Sequence, residues 1–279
     1  MTSANKILLL FFILFSIKLF AQSSLQEQFD YAYSLFNNEK YFDAVTEFKR
    51  LLYFDKENKY AFKANLYIGL SYKNGGKFDD AMKYFTLAEM KSQNKEEYFS
   101  AKIYEIRTNI RRRTILQANK ILDELDSDKN LSTHKNEINY WRGWAYIFSD
   151  DWQNAYQIFS QNNLDTTLSR ICKDVDQKKY SVDFAKYSSV ILPGFGQFYT
   201  GEYVSGLISL GWNILFGYLT INSFVEDRVF DGIVVGNFLW LRFYSGNIQN
   251  AEKFAEQKNL QISNSALDYV QYKFSGLKP

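Results

Sequence analysis

Between residues 25 and 165 the apolar positions follow one register that returns every 37 residues, marked by Ala44, Ala81, Ala118 and Ala155. Three residues before each alanine stands a large apolar side chain: Tyr41, Phe78, Ile115 and Trp152. Four residues after each stand Phe48, Phe85, Leu122 and Phe159. Twelve before stand Ala32, Gly69, Ile106 and Gly143, and nine before stand Leu35, Tyr72, Asn109 and Tyr146. Residues four apart share one face of a helix, so each alanine and the ring that follows it belong to one helical face. The residue twelve before belongs to a preceding helix. Turn-forming stretches separate the two: Asn37-Asn38-Glu39-Lys40, Asn74-Gly75-Gly76-Lys77 and Ser149-Asp150-Asp151. The register therefore predicts four helix–turn–helix units. In each, a small residue on either helix permits close approach, and large side chains fill the space around the crossing. The third unit departs most from the pattern.

A second pattern occupies the two ends of this region. Ile7 to Ile17 is apolar apart from Ser16, follows a short stretch carrying Lys6, and leads through Lys18 to Leu19-Phe20-Ala21. That order predicts a secretory signal over 1–21, cut after Ala21. An uncleaved anchor is the alternative, because Leu19 rather than a small residue lies three before the cut. Further on, Tyr203 to Val225 runs for 23 residues without a charge. At ~1.5 Å per residue a helix of this length crosses a ~30 Å hydrocarbon core. After the charged turn Glu226-Asp227-Arg228 comes a second apolar run, Val229 to Tyr244, interrupted by Asp231 and Arg242. The two runs predict a transmembrane helical hairpin. Gly232 and Gly236, spaced G-x-x-x-G, are expected to pack its helices, and Asn213, Asn222 and Asn237 to hydrogen-bond between them. The stretch Leu192 to Gly201, holding Pro193, Gly194 and Gly196, breaks any helix and delivers the chain to the first span.

The expected organisation is all-α: signal peptide 1–21, helical repeat solenoid 25–165, linker 166–186, membrane domain 187–255 and C-terminal tail 256–279. Composition adds exclusions. A formal net charge of +2 does not point to nucleic acid. One cysteine and one histidine, Cys172 and His134, exclude an intrachain disulfide and a cysteine- or histidine-rich metal site. Cys172 is expected to pack as a small hydrophobe. Arg111-Arg112-Arg113 is expected to be a solvated loop. The glycines after Pro193 are not followed by Gly-Lys-Ser/Thr, so they do not form a phosphate loop. Gln197 and Tyr199 lack a nucleophile–base pair, so neither an enzyme nor a cofactor is expected.

The stretch Asn65-Leu66-Tyr67-Ile68-Gly69-Leu70-Ser71-Tyr72, with Gly76-Lys77-Phe78-Asp79-Asp80-Ala81 and Phe85, resembles the tetratricopeptide repeat. The family's usual period is 34 residues, and the proline that usually closes each unit is replaced after the first unit by Asp55-Lys56-Glu57-Asn58. The resemblance implies a concave groove that holds a partner protein, lined here by Phe29, Tyr33 and Phe36 and by Tyr140, Trp144 and Ile147. The motif Pro193, Gly194, Gly196, Gln197, Tyr199 and Gly201 resembles a membrane domain of bacterial envelope proteins with no established activity. It is more distantly similar to the two-transmembrane domain family. The expected function is therefore a non-enzymatic scaffold or adaptor, with membrane lipid and an envelope protein as partners. The alternative is a small membrane transport or lipid-handling component with accessory repeats. Export places the repeats in the periplasm, at the inner membrane. Lys178, Lys179, Lys186, Lys253 and Lys258 favour the opposite side, but a long domain translocates largely regardless of its charge.

Overall fold

The computed structural model describes residues 24–279, and every regular element among them is helical. The expected signal segment lies outside the described residues. The chain forms two units, one ending at Asp165 and joined by Leu277–Pro279, the other spanning Thr166–Gly276.

The first unit holds α1 (24–37), α2 (Tyr41–Phe54), α3 (Ala61–Asn74), α4 (Phe78–Met90), α5 (Lys95–Arg111), α6 (Ile115–Ser127), α7 (Lys135–Phe148) and α8 (Trp152–Ser160). From α2 to α8 each helix packs on its neighbours in the chain, as in a helical repeat stack. The register explains the packing. Ala32, Ala44, Ala81, Ala118 and Ala155 are all 0% exposed, as are Phe48, Phe85, Leu122 and Phe159. A Cβ on Gly69 would lie 2.5 Å from the Phe85 ring, and one on Gly143 2.5 Å from the Phe159 ring. No side chain fits at either position unless the ring moves. In the third pair Ile106 stands in the glycine's place and Leu122 in the ring's, both fully buried. The larger residue on one helix offsets the smaller one on the other, which is why this unit matches the pattern poorly and still packs.

The turns repeat as faithfully as the core. Glu39, Gly76, Arg113 and Asp150 have φ of 59°, 74°, 59° and 65°, and they stand 37 residues apart. Each sits one residue before an amide that bonds back to the first helix: Lys40 N–H to Leu35 O, Lys77 N–H to Tyr72 O, Thr114 N–H to Asn109 O and Asp151 N–H to Tyr146 O, at 2.8–3.0 Å. This is the left-handed helix cap, normally supplied by glycine. After the first pair no proline closes the repeat. Buried Asp55 instead accepts the Lys59 N–H at 3.0 Å and the Tyr60 N–H at 2.6 Å, fixing the turn that leads into α3.

The second unit holds α9 (Thr166–Lys178), α10 (Val182–Ile191), α11 (Phe195–Tyr199), α12 (Tyr203–Val225), α13 (Val229–Val235) and α14 (Leu241–Tyr272), with a π-helical turn, Gly236–Trp240, joining the last two. Two expected boundaries change. The 166–186 stretch is not a linker but α9 and the start of α10, because Leu168, Cys172 and Val175 bury one helical face. The stretch after 256 is not a free tail. Helix α14 continues to Tyr272 because Ser263, Leu267 and Val270 extend the buried face begun by Asn247, Ala251 and Ala255.

Helix α12 is inverted relative to a soluble core helix. Its buried residues are Gly206, Asn213, Gly217, Thr220 and Ser223, whereas Leu207, Ile214, Tyr218 and Ile221 are each more than half exposed. Among the described residues it is the one helix long and apolar enough to cross a membrane. Gly232 and Gly236 face it: a Cβ on the former would lie 2.9 Å from the Phe224 ring, and one on the latter 3.2 Å from Thr220 Cγ2. The asparagines do not bond across helices as expected. Asn213 donates to Ser209 O at 2.8 Å, Asn237 to Ile233 O at 3.0 Å and Asn222 to Glu226 at 3.1 Å. A short amide side chain reaches a group four residues away on its own helix first.

The left-handed turn positions give a stability test. Glu39→Gly relieves a strained φ and should raise the unfolding free energy of the full chain in urea by up to about 1 kcal/mol, whereas Gly76→Ala should lower it by about as much. Opposite signs, read by circular dichroism, are the expected result.

Candidate functional site

Two places in the chain concentrate polar chemistry. The first is the face of the repeats formed by the first helix of each pair, α1, α3, α5 and α7. Phe29, Tyr33 and Phe36 converge on Tyr67 of α3, with ring centroids 6.1, 5.0 and 5.3 Å away. Phe29 also packs on Phe48 and Tyr60. Burial, helped by Tyr33, pushes Tyr67 up to about 12, so its hydroxyl stays protonated. These rings are therefore half spent on packing; Tyr33 keeps 37% of its surface exposed. At the other end Tyr140 is half-buried, while Trp144 and Ile147 are within 1% of full burial and hold up the wall rather than face a partner.

Between these ends the same register carries cations. Arg107 occupies the position of Tyr33 and Trp144, and Lys73 that of Phe36 and Ile147, one or two repeats of 37 residues away. The Arg107 guanidinium lies 5.1 Å from the Tyr104 ring centroid and 4.8 Å from that of Trp141. It donates to the main-chain oxygen of Lys278 at 2.8 Å. Tyr140 donates its hydroxyl to the main-chain oxygen of Leu277 at 2.6 Å. Lys73 is largely enclosed. Burial first, and then the charges of Arg107 and Arg111, push its ammonium down to about 7. Of the triple-arginine loop, Arg112 pairs with Asp79 at 2.6 Å, Arg111 lies over the Phe78 ring and Arg113 over the Phe148 ring.

The second place is the proline–glycine motif. Pro193 turns the chain after α10, and Gly194 follows with φ of 93°, its missing Cβ leaving room for the Gly206 carbonyl. Gly196 brings α11 against the Ala185 carbonyl oxygen, Ser189 and Ala251. Gln197 is fully buried and donates to Asn247 O at 3.0 Å and Asn247 Oδ1 at 3.1 Å. Asn247 Oδ1 also accepts the Gly194 N–H at 2.7 Å, and its amide donates to Ser189 O at 2.9 Å. Ser189 in turn accepts the Gly196 N–H at 2.9 Å. Tyr199 accepts the Ser181 N–H at 3.0 Å and packs edge-on against Tyr180 and Phe184. Gly201, with φ of 80°, ends the motif just before α12. Asn247 stands 50 residues beyond Gln197, and only the fold brings it to the centre of the network. Asn247 and Ser189, from outside the motif, satisfy the buried amides of Gly194, Gly196 and Gln197. Among the described residues no group of acidic, histidine and cysteine side chains is placed to hold a metal ion.

A family model described as tetratricopeptide repeat matches residues 63–87. The matched segment runs through most of α3 and α4 and contains the Gly69–Phe85 contact. No curated protein and no solved structure matches the chain significantly. Tetratricopeptide repeats generally serve protein–protein interaction. The other three helix pairs share the matched pair's register, and all four share its turn geometry.

Each site carries a test. Lys73 sheds its proton near pH 7 in the folded chain but holds it to about 10.5 when unfolded, so the unfolded chain binds more protons across that window. Stability therefore rises with pH from about 7 to about 10.5, and the burial penalty stands in full below 7. Lys73→Met removes this term. Its urea midpoint should exceed the native one by more at pH 6.5 than at pH 9.5. In the motif, Asn247→Ala takes the side-chain partner from the Gly194 N–H and from the Ser189 carbonyl in a buried setting, at about 1–3 kcal/mol for each unsatisfied group. Thermal unfolding in detergent should drop well below that of Asn222→Ala, which alters only an exposed contact.

Proposed function

We propose that this is a non-enzymatic, membrane-anchored protein of the bacterial cell envelope whose helical repeats bind a partner protein. The observation that carries the anchoring is the inversion of α12, with small and polar residues inside and leucine, isoleucine and tyrosine outside. Water penalises that arrangement and lipid rewards it. Exposed apolar side chains continue onto the neighbouring helices at Ile191, Phe230 and Phe238, forming a belt far larger than scattered surface hydrophobics. Val229 to Tyr244 packs on α12 through its glycines and supplies the second span of a hairpin. In this reading the 1–21 signal exports the chain, the repeats stand in the periplasm and the second unit sits in the inner membrane. The proline–glycine motif is structural: it locks the helices at the point where the chain enters the membrane. Protein binding is supported by the tetratricopeptide match and by the polar face of the repeats' first helices.

Protease added to intact spheroplasts should digest the repeats while sparing α12; protected repeats would reverse the topology. A photo-cross-linking residue at Tyr140 should trap one partner protein in cells, and the same residue at Phe42, on the second helix of its pair, should not. Adducts from position 42 alone would remove the assigned face.

A further inference from the structure

Arg242 interrupts the second apolar run, and nothing balances its charge. The side chain is exposed and makes no ion pair or hydrogen bond among the described residues. It lines a groove of about 580 Å³ between α12 and α14, a size within the ~300–1,000 Å³ of small-molecule sites. Phe243, its neighbour in the chain, stacks on Trp212 and Phe216 with centroids 5.5 and 5.1 Å away. Arg242 is thereby set beside the middle of the 23-residue α12 and not at either end. Hydrocarbon penalises a lone guanidinium at that depth, so such a group pairs with an anion or draws phosphate and water inward. Ile208, Trp212 and Phe243 make the groove's apolar lining, continuous with the exposed belt of α12. Ser205 and Asn250 also line it, and neither side chain makes a hydrogen bond among the described residues. The carboxylate in this lining, that of Glu202, is held by Lys258 at 2.9 Å. Gly246 keeps the groove open, since a Cβ there would meet nothing within 4 Å.

We infer that this groove binds the headgroup of a phospholipid carrying net negative charge, with its phosphate on Arg242 and its acyl chains running on to the belt around α12. This rests on the reading that α12 crosses a membrane, and names the lipid that the span selects. A phosphodiester offers two free oxygens, which suit the paired N–H groups of a guanidinium. The hydroxyl of Ser205 and the amide of Asn250 take further headgroup oxygens. Every phospholipid has the phosphate, so the choice falls to what surrounds it. A zwitterionic headgroup brings an ammonium that needs an acid, and the groove's carboxylate is already committed to Lys258. A headgroup ending in hydroxyls leaves no charge unpaired. A transmembrane helix bearing a carboxylate would answer the charge of Arg242 but leave Ser205 and Asn250 without partners.

The experiment adds phosphatidylglycerol or phosphatidylethanolamine, with the same acyl chains, to the full-length chain in detergent and reads one-to-one adducts by native mass spectrometry. Phosphatidylglycerol should bind about fivefold more tightly. Arg242→Gln should remove the preference, and Arg242→Lys, which keeps the charge without the fork, should keep part of it. Gly246→Leu fills the groove at unchanged charge and should remove the preference too. Lys253→Gln, at an exposed lysine of the same helix, should leave it intact. Equal binding of the two lipids overturns the site. So does a preference that survives Arg242→Gln or Gly246→Leu, or one that Lys253→Gln removes as completely. A photo-cross-linking residue at Ile208 that traps a membrane protein in cells, and no longer does so with Arg242→Gln, would give the groove to a carboxylate-bearing helix and overturn the lipid. Flotation with phosphatidylcholine vesicles separates the two readings. If the chain does not float, the anchoring and the lipid site fall together; if it floats and shows no lipid preference, the site falls and the anchoring stands.

Discussion

Helices in both units meet where one of them has no side chain. In the repeats, Gly69 and Gly143 present bare backbone to the rings of Phe85 and Phe159. In the second unit, Gly196 presents it to the Ala185 carbonyl, and Gly206 to the Phe198 ring. Close approach has an energetic consequence beyond steric room. It lets one large ring cover the backbone of the facing helix, so a single phenylalanine fills the crossing and the pair packs at interior density. Ile106 and Leu122 show that the constraint is on the sum and not on either residue. A larger side chain on one helix is tolerated when the other gives up volume.

The two units solve opposite solvation problems with this same device. In the repeats the close approach is surrounded by buried aromatics, and the outer faces carry charge. In the second unit the interior is polar. Gln197, Asn247 and Ser189 share their donors and acceptors with the backbone amides of Gly194 and Gly196. Such a network costs little only when every member is paired, and here each amide nitrogen and oxygen finds a partner. The large apolar side chains of α12 are left on the outside. A hydrophobic interior would not hold these helices together in lipid, because the tails outside are as apolar as the side chains within. Hydrogen bonds and tight contacts between small residues then remain as the main adhesive.

Much of this is legible in the order of residues, and the exceptions have physical causes. The register of 37 residues locates helix pairs, buried alanines and the rings beside them, because helical periodicity survives changes of residue type. The left-handed turns at Glu39, Arg113 and Asp150 are not visible residue by residue, since glycine marks only Gly76 among the four. Helix α9 hides because charged residues outnumber the three, Leu168, Cys172 and Val175, that bury its face. The partner of Gln197 hides because a hydrogen bond across 50 residues leaves no trace in local pattern. The proline–glycine motif announces a backbone break, but only its surroundings reveal that the break is tied to α14.

The face of the first helices shows how a register can mislead when it is read for one kind of side chain. Aromatics at its two ends suggest a hydrophobic groove, yet several of them pack on their own neighbours. Carried through the middle units, the same positions hold Lys73 and Arg107. Burial pushes the lysine toward neutrality, and the arginine keeps one donor unpaired. Both groups carry a desolvation penalty that a buried methionine in either position would never have introduced. Segment 277–279 meets this face through two main-chain oxygens, that of Leu277 bonded by Tyr140 and that of Lys278 by Arg107.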